Sequence, residues 1–329
     1  MGRHVQIEDV DDKSGRAGRR SPRLRQRVAW MYYVEEMTQS AIADSLGIGR
    51  ITVVRLLAEA RSMSEVRISL NREIADLAGL EIAAQKRLGV NEVIVAPLSQ
   101  AGGDGRAVIA AAAGEYVARL LRPDMKIGLG WGETLSRMLN FLDEKSVPKL
   151  SVVSLLGGIM RARAANPAEC AWQFSRVYMA DCYMLAAPAI VDSRDTKRAL
   201  IERCGLGEVY ELARSLDAVV MGVGGANSFA AARSYGLVSE EEIGELKARG
   251  AIGNLLYNFF DADGCLVDHS INARVMSIPV ESLRKAPVRI IAAGGGDKVQ
   301  AIVAACRLLQ PTTLITDEAT AKAMAAGKG

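Results

Sequence analysis

The sequence predicts a two-part chain, a small all-α N-terminal domain followed by a larger α/β domain built on a parallel sheet. Three observations carry this. Residues 24–61 place apolar side chains at helical spacing around a glycine, whereas beyond Gly89 short apolar runs alternate with longer helix-like stretches. Charge is also split. Residues 13–67 hold eleven Lys/Arg against five acids, and residues 68–329 sum to zero. A length of 329 residues suits two domains, and 50% hydrophobic with 24% charged residues is ordinary for a globular chain.

Residues 1–22 are charged and poor in apolar residues, which predicts a mobile basic tail. From Leu24 the pattern turns helical, with Val28, Met31 and Tyr32 on one face and Val34 and Met37 closing the segment. Thr38 is placed to N-cap a second helix over 39–46, Gly47 ends it, and a third helix follows over 50–61. Residues 63–70 alternate Val66, Ile68 and Leu70 as a short strand would, completing a first domain over 23–70. A linker helix is expected over 71–88, with Ile74, Leu77, Ala78 and Ile82 on one face. The second domain, 89–329, carries strand-like runs at 93–98, 126–130, 150–158, 183–190, 218–225, 288–296 and 312–316. Helical stretches such as 108–121, 168–180 and 299–309 fall between most of them, the signature of a parallel sheet covered on both faces.

Segment 39–61 meets the steric demands of a helix-turn-helix. Ala43 is small where two helices approach, Gly47 supplies a positive φ, and Ile42, Leu46, Ile48, Val53 and Leu56 fill the corner. Turning Val53 and Leu57 inward puts Ile51, Thr52, Val54, Arg55 and Ala58 outward, with Arg50 at the end that enters a major groove. Arg50 and Arg55 suit guanine or phosphate, Ile51 and Thr52 suit a thymine methyl, and Gln39 and Ser40 suit a phosphate. A basic segment on a neutral body fits double-stranded DNA as partner. Gly49 is a poor cap for the third helix.

Four predicted strands run into glycines, at 128–134, 155–158, 222–225 and 292–298. At the carboxyl ends of parallel strands, glycines let backbone amides approach a ligand. Neither a proper GxGxxG fingerprint nor a Walker loop is present, so no nucleotide cofactor is expected. Asp261, Asp263, Asp268, His269 and Asn272 gather in 259–272. Such side chains suit a polyhydroxylated ligand, with Asp268 and Asn272 the better candidates and Asp261 and Asp263 closer to a solvated turn. Lys298 could meet an anion or be a surface lysine. Five scattered cysteines and two histidines suggest no metal site, and they read as reduced, mostly buried thiols of a cytoplasmic protein. No apolar run is long enough for a membrane span.

Taken together, TQSAIADSLGIGRITVVRLL (38–57), IGLGWGETL (127–135), LLGG (155–158), LAAPAIVDS (185–193), LDAVVMGVGG (216–225), GAIGNLLYNFFDADG (250–264), VDHSINARVMSI (267–278), AAGGGDKVQAI (292–302) and LITDEATA (314–321) resemble the SorC family of sugar-responsive regulators. The resemblance implies a Rossmann-like effector domain related to the glucosamine-phosphate deaminase and ribose-phosphate isomerase fold. It also implies a homotetramer, operator DNA as partner and control of carbohydrate or polyol catabolic genes. By the same carry-over a small sugar or polyol effector lies over Gly130, Gly132, Glu133 and Thr134, with Gly224, Asp268 and Lys298 as further contacts. Two departures bear on the ligand: Glu133 stands where relatives that bind sugar phosphates favour uncharged or basic residues, and Leu156 where some carry arginine. A carboxylate repels phosphate, so an unphosphorylated sugar or short polyol such as a tetritol is favoured, while Lys298 keeps the phosphate option open. The competing reading is a sugar-phosphate isomerase-like enzyme. It lacks a placed carboxylate–histidine pair, because Asp268 and His269 are adjacent and would point apart in a strand.

Overall fold

The computed structural model describes residues 22–63, 65–66, 77–98, 104–160 and 166–327, and the chain forms two compact units, Met1–Arg67 and Ile68–Gly329. The tail expected over 1–22 lies, Pro22 apart, outside the described residues. So do most of the strand expected over 63–70 and the start of the helix expected over 71–88.

Among its described residues the first unit holds three helices, α1 (Pro22–Tyr33), α2 (Gln39–Leu46) and α3 (Arg50–Ser62). The Thr38 hydroxyl accepts the Ala41 N–H at 3.2 Å and caps α2. At its other end Gly47 takes φ +62°, and the Gly47 and Ile48 N–H groups donate to the carbonyls of Asp44 and Ala43. This Schellman arrangement satisfies the last carbonyls of α2 and turns the chain sharply into α3. No side chain caps α3 at Gly49, as its sequence predicts. Val28, Met31, Ile42, Ala43, Val53, Leu56 and Leu57 form the buried core. Arg25 closes one side of it by donating from Nε and Nη2 to the two Glu65 oxygens at 2.6 and 2.5 Å. That paired hydrogen bond holds the Glu65 carboxyl below the usual carboxylate range.

In the second unit α4 (Ala78–Leu88) leads into β1 (Glu92–Ala96), α5 (Gly105–Leu120), β2 (Lys126–Leu129), α6 (Glu133–Met138), β3 (Ser151–Ser154), α7 (Pro167–Tyr178) and β4 (Asp181–Tyr183). There follow α8 (Arg194–Arg203), α9 (Gly207–Leu212), β5 (Ala218–Met221), α10 (Ala226–Ser234), α11 (Glu240–Ala248) and a hairpin of β6 (Gly253–Leu255) and β7 (Asn258–Phe260). The chain ends with α12 (Ser270–Arg274), α13 (Val280–Leu283), β8 (Val288–Ala292), α14 (Val299–Leu309), β9 (Thr313–Asp317) and α15 (Glu318–Ala325). The large sheet has the order β1-β9-β8-β5-β2-β3-β4, and every neighbouring pair is parallel. Alternate strand residues point to opposite faces. Ile127, Leu129, Val152, Val220 and Ile290 meet α5, α6 and α7, while Val93, Val153, Val219, Ile291 and Leu314 meet the core under α14 and α15. Among the described residues no helix is long and apolar enough to cross a membrane.

Several expectations need correction. In α4 it is Leu77, Leu80, Ala84 and Leu88 that face the core, a better 3.6-residue stripe than the one predicted, and Ile82 is 50% exposed. The apolar run 183–190 is not a strand. β4 ends at Tyr183, and the following residues make only isolated bridges, Gly158 with Pro188 and Ile190 with Val275. Pro188 has no N–H to give a ladder. The β6–β7 hairpin was not expected, because its two-residue turn is Leu256–Tyr257, both at positive φ (52° and 60°), without the usual Asn or Gly signal. Of the five cysteines, Cys204 and Cys265 are exposed, whereas burial pushes the Cys170 and Cys306 thiols up to about 12.

Candidate functional site

The four glycine clusters follow β8, β5, β2 and β3, which are consecutive in the sheet and parallel. All four therefore open at one edge, beyond the carboxyl ends of the strands, where crevices of open α/β sheets form.

The loop after β2 is pinned at Gly130, whose N–H donates to the Val220 carbonyl at 2.8 Å. Two residues on, Gly132 takes φ +130° and faces open space, so backbone is offered there without a side chain. Between them Trp131 packs on Tyr257 (ring centroids 5.5 Å apart) and Tyr235 (6.1 Å). The loop after β5 is tied to the hairpin. Gly224 and Asn254 exchange backbone hydrogen bonds at 3.0 and 2.9 Å, and the Asn254 amide donates to the Ser228 hydroxyl at 2.7 Å. A Cβ on Gly224 would strike both side chains at 2.6–2.7 Å, so only glycine fits. Beside it Lys298 lies across Gly225, and its ammonium has no partner among the described residues. The loop after β8 is held from behind, since the Gly295 N–H donates to the Thr320 hydroxyl, which donates to the buried Asp317 carboxylate, both at 2.7 Å.

Glu133, directly after Gly132, is not the lone carboxylate that the sequence suggests. Arg106 of α5 pairs with one of its oxygens and Arg137 of α6 with the other, the latter at 2.6 Å. Asp104 binds both guanidinium groups, at 2.7 and 3.1 Å, and the Arg106 hydrogen bond holds its carboxyl below the usual range. Gly130, Gly132, Glu133 and Thr134 thus share one loop, and Gly224 and Lys298 share the neighbouring loops of β5 and β8. No hydrogen bond among the described residues ties Asp268 to them. It is exposed, and its carbonyl accepts from Arg249 beside α11. Asn272 is spent on the hairpin, its amide bonding Phe259 N–H and the carbonyls of Phe259 and Val267 at 2.7–2.9 Å. His269 caps α12 and meets Glu245 at 2.7 Å. Sequence reasoning missed Asn254, for which the chain offers no local signal.

In the first unit, Gln39, Ser40 and Arg50 line one open groove of about 480 Å³ together with Tyr32, Glu36, Met37 and Thr38. Tyr32, read from the sequence as a core position, is half-buried there. Ile51 is 88% exposed, Arg55 is exposed and in loose contact with Glu59 at 3.6 Å, and Thr52 is half-buried. The side chains of Gln39, Ser40 and Arg50 have no partners among the described residues.

The family model described as "Putative sugar-binding domain" matches residues 72–326. The chain is 30% identical over 305 residues to the erythritol catabolism regulatory protein EryD of Brucella abortus, covering 91% of this chain and 95% of that one. It is 28% identical over 309 residues to the deoxyribonucleoside regulator of Bacillus subtilis, covering 93% and 98%. Among solved structures, the full-length sorbitol operon regulator SorC of Klebsiella pneumoniae is similar with a TM-score of 0.71 at 26% identity, covering 92% of this chain and 98% of that one. These matches span both units, and the chain belongs to the SorC-like family of sugar-binding-domain transcriptional regulators.

Proposed function

We propose that the chain is a ligand-gated transcriptional regulator that reads operator DNA through a helix-turn-helix formed by α2 and α3. Its effector is a small sugar or polyol bound over the glycine-ended strands. Residues 23–70 then serve as the DNA-binding domain and 89–329 as the effector domain, with 71–88 between them. The observation that carries the effector reading is the convergence of four glycine-ended loops beside an ammonium without a partner among the described residues. The open Gly132 backbone and a lysine offer donors to a ligand rich in hydroxyl oxygens. Gly130, Gly132, Thr134, Gly224, Asp268 and Lys298 are the contacts this reading takes, with Asn254 holding Gly224 in place.

The names of EryD and SorC point to erythritol and sorbitol, and the same chemistry, a short polyol, suits this crevice. In the DNA reading Arg50, Ile51, Thr52 and Arg55 face base edges, while Gln39 and Ser40 hold phosphate. The sheet is taken as Rossmann-like, related to the deaminase and isomerase fold, with binding kept and turnover absent. Effector binding shifts the balance between arrangements of a homotetramer and so changes operator affinity.

A gel shift of the full-length protein on DNA from upstream of its own gene, with and without a panel of sugars and polyols, tests this. Retardation that one polyol alters is expected. Failure to retard any such DNA, or turnover of a sugar phosphate by the pure protein, would overturn it.

A further inference from the structure

We propose that Glu133 is a built-in anion occupying a phosphate-sized cationic subsite at the rim of the effector crevice, so that the wild-type crevice takes uncharged polyols and admits phosphate esters only when that carboxylate is removed. The inference rests on the effector reading above and names the class of ligand for that site.

The geometry is that of a filled anion site. Arg106 comes from the first turn of α5 and Arg137 from the end of α6, and each takes a different oxygen of Glu133. Asp104 grips both guanidiniums from a third position, which orders them without covering the groups that face Glu133. Two cations and two anions leave the cluster neutral. A phosphate ester brings close to two negative charges and three acceptor oxygens, which match two guanidiniums well. With Glu133 in place those donors are already used, and added phosphate would put a dianion beside a carboxylate. The sequence-level expectation of simple repulsion is replaced by occupancy.

The cluster is also in the right place. Glu133 directly follows Gly132, whose Cβ position is open space, and Arg106 opens the helix after β1 at the same carboxyl edge of the sheet, so the cluster borders the loop on which a ligand would lie. The four side chains are between about one-third and one-half exposed, so exchange of one anion for another needs no opening of the core. Exposed pairs of this kind add little to stability, so exchange of the anion would cost the fold little. Lys298 does not contradict the assignment, because an ammonium donates to a hydroxyl as readily as to a phosphate.

The test uses full-length protein and calorimetric titration with inorganic phosphate and with erythritol 4-phosphate, each against free erythritol. Glu133→Gln should bind both phosphates about tenfold or more tighter than wild type, the size of one charge-assisted contact. Adding Arg137→Gln to that variant should take the gain away again. No gain in Glu133→Gln, or a gain that survives loss of both Arg106 and Arg137, would overturn the proposal. Free polyols tested on wild type separate the two readings. If no polyol binds but Glu133→Gln gains phosphate, the anion subsite holds and the effector reading fails. If a polyol binds and Glu133→Gln gains nothing, the effector reading holds and this one fails.

Discussion

The groove on the first unit and the glycine-ended loops on the second differ in how far their polar groups are already engaged. In the groove, Gln39, Ser40 and Arg50 are without partners among the described residues, and the Arg55 contact with Glu59 is loose. In the crevice most groups are already engaged, the Lys298 ammonium and the Gly132 backbone apart: Glu133 by two arginines, Asn254 by Gly224 and Ser228, and Gly295 by Thr320. Loose, solvated cations suit a polyanion, where release of counterions supplies the affinity and long side chains adjust to the phosphates. A small neutral ligand supplies no such term, so its site gains most from groups that are fixed before it arrives.

The comparison can be broken most forcefully through the smaller core. Leu56→Ala should cost about 2–5 kcal/mol, as large-to-small changes in a packed core do. Operator binding would then be lost while a polyol still raises the melting temperature of the sheet unit. Loss of both together would show that the two units do not respond separately. Arg55→Ala should remove roughly 1–3 kcal/mol of operator affinity, read by gel shift at fixed salt. If instead it acts on phosphate, the salt slope falls by about one and every sequence weakens alike. Thr320→Val leaves the Gly295 N–H and the Asp317 carboxylate without their shared hydroxyl. Polyol affinity should fall by about 1–3 kcal/mol, measured by titration, and an unchanged value would show that the fixed loop is irrelevant.

The smallest effect concerns acid. Because Arg25 lowers the Glu65 carboxyl in the folded unit, the pair's contribution is present at neutral pH. It fades as pH falls below the usual carboxylate range of about 4 to 4.5 and through the lower folded value. Acid titration of helicity should show a step that Glu65→Gln removes.

Much of this was readable along the chain because the signals are local. Thr38, Gly47 and the uncapped Gly49 act within a few residues, and a parallel strand that runs into glycine announces which of its ends is open. What escaped reading depends on distant partners. Nothing near Glu133 reveals that Arg106 arrives from another helix, and nothing near Asn254 reveals Gly224. Polar residues also mislead when their hydrogen bonds are internal. Asn272 looks like a ligand contact, yet its amide holds the hairpin together. The run at 183–190 shows the limit of hydropathy, because apolar residues mark burial and the backbone pairing depends on who lies alongside.

The Leu256–Tyr257 turn sets two ends of protein engineering against each other. Each residue sits in a left-handed conformation that costs of order 1–3 kcal/mol for a side chain of this kind. Asn-Gly at the same two positions would relieve that cost. It would also withdraw the Tyr257 ring from Trp131 and the Leu256 side chain from beneath Gly130. Both side chains are buried in the core, and losing either would cost about 2–5 kcal/mol, so packing holds the strain in place and a selection for heat resistance would keep this hairpin.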